Sequence, residues 1–283
     1  MRILQPLPPV TVVDLFPHER ESLLSVLASL SDDQWAAATA CAGWSVHDVA
    51  LHILGGDVGN LSGGRDGYVD RHGSDGVDQA QWDQLLTFID RRNDEWVRAT
   101  RRISPRIVCE SLAATGLALH RYFTQLDLDA VGIPVNWAGP DPAPAWFHVA
   151  REYTERWMHQ QHIRDAVGQP CLKERAWFAP VLDTFARALP HTLRAVAPPP
   201  GTTLRLVITG QAGGIWQVIR LDDRWALTAD TAPQPDATLI LDQETAWRLF
   251  TKGLSKVAAI PHATLEGDTI LAAKALDMVS ILA

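Results

Sequence analysis

Between Phe147 and Gly168 the chain reads FHVAREYTERWMHQQHIRDAVG, and at helical period His148, Glu152, Glu155, His159 and His162 fall on one face. The opposite face carries Val149, Tyr153, Trp157, Ile163 and Val167 and is apolar enough to be packed. A titratable face backed by a packed one lines a polar cavity or meets solvent. Glu155 and His159 stand one turn apart, so their side chains can converge on one ion and supply two metal ligands from a single helix. A third ligand must come from another element. On an earlier helix His47 and His52 lie five residues apart and point to different faces. His47 sits in the first turn and is expected to be exposed. His52, between Leu51 and Ile53, has the setting of a satisfied core or boundary histidine. As a ligand it would complete a set of two imidazoles and one carboxylate with at least one open coordination position. That set suits zinc, with iron, nickel and cobalt compatible by ligand type. A structural site would be closed; an open one can do chemistry.

The elements that must position these residues can be read in chain order. A helix is expected over Pro17–Leu30, followed by a capping box at Ser31 to Gln34. Ser45 and Asp48 form another, which starts the helix carrying His52 towards Leu61. Gly63–Gly76 is a polar, glycine-rich loop in which His72 is expected to be exposed. Long helices are expected over Val77–Arg102, with an arginine cluster on its solvent side, and from Pro105 to about Asp127. A proline-rich loop, Val131–Pro144, leads into the central helix, which Gly168 ends. One more helix over Ala176–Val196 closes a first domain, 1–196, before the stiff linker APPPG. Thereafter the composition changes. Thr203–Ile208, Ile215–Leu221, Trp225–Thr228, Ala237–Leu241 and Ala263–Glu266 read as strands, and Asp242 and Asp268 cap helices, giving an α+β domain over 202–283.

The whole chain of 283 residues has length enough for two cores, and its net charge of −8 excludes a broad nucleic-acid or anionic-membrane surface. No run of eighteen apolar residues spans a membrane, and MRILQPLPPV lacks the apolar core of a signal peptide. Cys41, Cys109 and Cys171 are widely spaced and odd in number, which fits a reducing, cytoplasmic setting without disulfides. The expected partners are small molecules, with the chain a monomer or homodimer. No GxSxG elbow or phosphate-cradling glycine loop occurs.

WSVHDVALHILG, followed much later by ExxxH within EYTERWMHQQHIRDAVG, resembles the mycothiol-dependent maleylpyruvate isomerase family, a branch of the DinB-like metal-binding four-helix bundles. DATLILDQETAWRLFTKG and LEGDTILAAKALDMV are similar to that family's sterol-carrier-like second domain. The resemblance implies a multidomain protein, an all-α bundle followed by a small α+β domain. It also implies a divalent metal, foremost Zn2+, on His52, Glu155 and His159, and a mycothiol-like thiol as cosubstrate. The implied activity is thiol-dependent cis–trans isomerisation of a small electrophile such as an unsaturated oxo acid, or thiol transfer to it. Glu152 and His162 share the helical face of the triad and are candidates for moving the proton. His162 stands where an aspartate is usual, and Thr251-Lys252-Gly253 replaces a Thr-Gly-Arg turn, leaving Lys252 to offer charge to an anionic thiol or substrate without a bidentate fork. Two other readings stay open: a metal hydrolase with Glu152 as base, and a non-catalytic metal- or ligand-binding module.

Overall fold

The computed structural model describes residues 4–69 and 82–281, so the expectations for His72 and the start of the Val77 helix lie outside the described residues. A helical N-terminal region is followed by a C-terminal region built on a mixed sheet. The first region contains α1 (Phe16–Ala28), α2 (Asp32–Trp35) and α3 (Val46–Gly59), the last running directly into a π-helical turn, Asn60–Arg65. Then come α4 (Trp82–Thr100) and α5 (Pro105–Thr124). The expected loop from Val131 to Pro144 contains a small antiparallel pair, β1 (Val131–Pro134) and β2 (Pro142–Pro144), before α6 (Ala145–Val167).

Both capping boxes form: Ser31 and Gln34 exchange side-chain and backbone bonds, as do Ser45 and Asp48. Gly168, at φ 67°, ends α6, with Gln169 N donating to Arg164 O at 2.9 Å. The helix expected over Ala176–Val196 is instead two, α7 (Arg175–Ala186) and α8 (Leu189–Thr192), with Pro190 in the first turn of the second. The strands follow as β3 (Thr203–Thr209), β4 (Gly214–Arg220), β5 (Trp225–Thr228) and β6 (Ala237–Asp242). After α9 (Gln243–Phe250) and α10 (Lys256–Ala259) come β7 (Thr264–Gly267) and α11 (Thr269–Lys274). The strand order is β5-β4-β3-β6-β7, with β3 and β6 parallel and the other pairs antiparallel. The Asp268-capped helix is shorter than the sequence pattern, passing into a 3-10 turn at Ala275.

Grouped by packing, the chain forms two units: residues 12–128 with 152–172, and residues 1–11 with 129–151 and 173–281. This division falls elsewhere than the linker at 197–201. In the sheet-containing unit, Trp216 Nε1 on β4 donates to Asp183 on α7 at 2.8 Å, and Trp225 Nε1 on β5 donates to Val196 O at 2.8 Å. Buried indole donors need acceptors, and these tie α7 and the end of the α8 segment to the strands. In the same unit Lys252 follows α9 at φ 61°, a left-handed conformation that a side chain with a Cβ adopts at some cost.

The helical unit is organised around α3. Leu23, Leu27, Val49, Ile53, Leu112 and Ile163, from four different helices, are buried in one cluster, and each such side chain contributes about 1.5–3 kcal/mol by leaving water. On α4, Trp96 Nε1 donates to Leu51 O at 2.8 Å, and the approach depends on Gly55, where a Cβ would meet that nitrogen at 2.6 Å. Among the described residues no helix is long and apolar enough to cross a membrane.

A buried carboxyl, Glu19, contributes to this unit's pH response. Glu19 on α1 is fully buried; its Oε1 accepts from Gln160 Nε2 at 2.7 Å, while Oε2 has no hydrogen-bond partner among the described residues. Burial raises its pKa above the usual carboxylate range despite the Arg20 and Arg156 charges. A raised carboxyl contributes stability that is present below the unfolded pKa and lost as pH rises through the folded one. Urea unfolding across pH should therefore show the natural chain losing about 1.4 kcal/mol per pH unit relative to Glu19→Gln between those two pKa values. Parallel pH profiles for the two proteins would show that Glu19 does not carry this term.

Candidate metal centre

The 23-residue helix α6 supplies Glu155, His159 and His162 to one side of the helical unit, and α3 supplies His52. Ligand atoms of His52, Glu155 and His159 all lie within 4.8 Å of one another. His159 Nε2 is 3.7 Å from Glu155 Oε2, and the His52 and His159 rings meet edge to face with centroids 4.6 Å apart. For a tetrahedral ion with bonds of about 2.0–2.2 Å to nitrogen and oxygen, the N···O separation would be about 3.4 Å, so closure needs only a few tenths of an ångström. Glu155 and His52 are partly exposed, whereas His159 is 8% exposed.

Electrostatics favours neutral imidazoles here. Burial, then the Arg156 charge, pulls the His52 pKa down to about 4, against a smaller opposing pull from Glu152. Burial, with the neighbouring His52 and His162, holds His159 well below the usual histidine range. Two neutral imidazoles and a carboxylate are a donor set that fits a divalent metal such as zinc, because no proton has to leave either ring first.

The other residues of the stripe divide. His162, 9% exposed, stays beside the group, its ring 5.5 Å from that of His159. Glu152 turns into a buried chain of charges. Its Oε2 accepts from Arg156 Nη1 at 2.7 Å and from Asn60 Nδ2 at 2.8 Å. Arg156 also donates through Nε and Nη2 to Asp57 Oδ1 at 3.1 and 2.8 Å. Arg20 donates to the two oxygens of Asp57 at 2.7 and 3.1 Å, and Thr115 Oγ1 donates to Oδ2 at 2.7 Å. The network joins α1, α3, α5 and α6 and fixes the rotation of α6 about its axis, hence the direction of Glu155 and His159. His148 belongs to the sheet-containing unit, with Arg151 Nη2 3.2 Å from its Nδ1. His47 is half-buried rather than exposed: its Nε2 lies 2.9 Å from Ile103 O and its ring packs edge to face on Trp35. Lys252 is exposed in the sheet-containing unit.

Sequence reasoning passed over Cys41. Its Sγ lies 3.2 Å from His162 Nδ1 and 3.9 Å from His159 Nδ1. Burial, less a hydrogen bond from Thr39, pushes the thiol up to about 11. No helical period could reveal it, because it sits in a turn. Asp57 and Arg156 were also passed over, although the i,i+4 spacing of Glu152 and Arg156 was a legible signal.

Residues 16–164, more than half of the chain, match the family described as Mycothiol maleylpyruvate isomerase N-terminal domain. The chain belongs to this family. His52, Glu155 and His159 all lie inside the matched stretch. Among solved structures, a crystal structure of the mycothiol-dependent maleylpyruvate isomerase and one of a point mutant of it each align with a TM-score of 0.49 at 9% identity. Each alignment covers 86% of this chain and 88% of the other. A comparison with curated protein sequences finds no match.

Proposed function

We propose that this family member is a metal-dependent enzyme that uses a mycothiol-like thiol to isomerise, or to add the thiol to, a small electrophile such as a cis-unsaturated oxo acid. The observation that carries the reading is the convergence of His52, Glu155 and His159 ligand atoms within 4.8 Å, in a chain of a family described by mycothiol and maleylpyruvate isomerase. His52, Glu155 and His159 would hold the metal, foremost Zn2+, whose chemistry when bound is to stabilise an external thiol as its reactive thiolate. The protein needs no cysteine nucleophile of its own for this.

In isomerisation the thiolate sulfur forms a bond to one alkene carbon of the oxo acid while the π electrons move towards the carbonyl. The former double bond rotates, and elimination of the same thiolate restores the alkene in the trans form. In transfer, protonation of the adduct carbon ends the reaction. His162, beside His159, suits the task of holding and returning the proton better than Glu152. The Glu152 carboxylate already accepts from Arg156 and Asn60 and holds α6 in place. The same engagement weighs against a hydrolase with Glu152 as base. We take the helical region as DinB-like and the sheet-containing region as sterol-carrier-like.

Calorimetry with a low-molecular-weight thiol tests the reading directly. The metal-loaded chain should bind the thiol and the metal-stripped chain should not, and the loaded chain with thiol should convert a maleylpyruvate-type oxo acid to its trans isomer or to an adduct. Equal thiol binding with and without metal, and no consumption of the oxo acid, would sink it.

A further inference from the structure

His159 faces two groups with its two ring nitrogens. Nε2 is the atom near Glu155, and Nδ1 is the atom near Cys41. Cys41 is delivered by a short turn: Thr39 N donates to Trp44 O at 3.1 Å, Ala38 and Ser45 form an isolated antiparallel bridge, and Gly43 turns the chain at φ 77°. Cys41 N also donates to Thr39 Oγ1 at 3.2 Å. Because Ser45 then caps α3, the turn and the helix that carries His52 are set by the same residue.

We propose that Cys41 Sγ, His159 Nδ1 and His162 Nδ1 form a second metal seat in the helical unit, for a soft divalent cation. Ligand atoms of the three residues lie within 4.8 Å of one another. For a tetrahedral ion with bonds of about 2.3 Å to sulfur and about 2.0–2.1 Å to nitrogen, the S···N separation is about 3.6 Å. The two observed values, 3.2 and 3.9 Å, bracket it. A thiolate with two imidazoles is a softer set than the two imidazoles and carboxylate on the other side of His159, so the two seats differ in the metals they favour.

Sharing His159 makes the seats alternatives. A neutral imidazole has one lone-pair nitrogen, and its tautomer decides which seat can use it. With the proton on Nδ1, the lone pair on Nε2 serves the Glu155 side. With the proton on Nε2, which faces Glu155 Oε2 at 3.7 Å, the lone pair on Nδ1 serves Cys41 and His162. Seating a cation on the cysteine side releases the Cys41 thiol proton to solvent and moves the His159 proton from Nδ1 to Nε2; no electron changes hands. The inference does not depend on the thiol-enzyme reading, since it needs neither substrate nor external thiol.

The test uses the full chain, reduced and then freed of added thiol. In His52→Ala/Glu155→Ala, titrated Co2+ should give a thiolate-to-cobalt charge-transfer band in the near ultraviolet, lost when Cys41→Ser is added. In the natural chain Cd2+, the softer probe, should give cadmium–thiolate absorption that Cys41→Ser abolishes; this arm decides if circular dichroism shows the double variant unfolded. Absence of the cobalt band in a folded double variant, or of the cadmium band in the natural chain, overturns the second seat and leaves the Cys41–His162 contact a hydrogen bond. Metal retained by Cys41→Ser reports on the His52 side alone, so failure of one seat is distinguishable from failure of the other.

Discussion

Asp57→Ala is expected to cost the helical unit about 3–5 kcal/mol, the penalty for removing one partner of a buried ion pair, against a total stability of about 5–15 kcal/mol for a typical domain. Asp57 is 0% exposed and takes five hydrogen bonds within the network: two from Arg20, two from Arg156 and one from Thr115. Its loss takes the buried carboxylate partner from Arg20 and leaves Arg156 with Glu152 alone. The melting temperature should fall by about 10 °C or more. Asp57→Asn keeps the shape and some acceptor capacity and should cost less. The pH dependence has a definite sign. Burial alone would raise the Asp57 carboxyl, but Arg20, Arg156 and the hydrogen bonds from Arg20 and Thr115 leave it below the usual range. Its contribution is therefore present above the unfolded carboxylate pKa and lost as pH falls through the folded one, opposite in sign to that of Glu19. Thermal melts of the natural chain and Asp57→Ala, from neutral to acid, check both statements. A variant as stable as the natural chain at neutral pH would show the network to be energetically idle.

His159→Ala is expected to remove metal and turnover together. Of the residues in the proposed centre it alone belongs to both ligand groups, through opposite ring nitrogens. Charge stabilisation by a bound metal is worth several kcal/mol, and each 1.4 kcal/mol is tenfold in rate, so the thiol-dependent conversion should fall by about 10²–10³-fold or more. The purified variant should carry no tightly bound divalent metal after the treatment that loads the natural chain, as read by elemental analysis. His162→Ala should differ: metal stays on the His52 side while the rate falls, because its proposed role there is with the proton. A His159→Ala protein that keeps its metal and its rate would remove the basis for the centre, and His52, Glu155 and His159 would then be a polar network only.

Much of the helical region is legible in the sequence. The capping boxes at Ser31 and Ser45 and the stop at Gly168 are short-range devices, each closed by partners within a few residues. The boundaries failed where local patterns were continuous but the backbone was not. The run from Ala176 to Val196 has helical composition throughout, yet it breaks before Pro190, and its first half packs with the strands. The stretch from Gly63 to Arg65 reads as loop but forms part of the π-helical turn, since Leu61 is buried and draws the chain on past α3.

By itself the sequence determined that Glu152, Glu155, His159 and His162 share one helical face, because 3.6 residues per turn sets direction about a helix's own axis. What that face meets is a matter of other elements arriving from far along the chain. Tertiary structure sent Glu152 to Arg156 and Asn60 and brought Cys41 to His162 across 121 residues. It also closed Arg20 on Asp57 across 37 residues. Periodicity carries no information about such partners. They are chosen by burial, where a charge must find its opposite and a thiol or imidazole its hydrogen-bond partner, and that requirement acts only once the helices have packed.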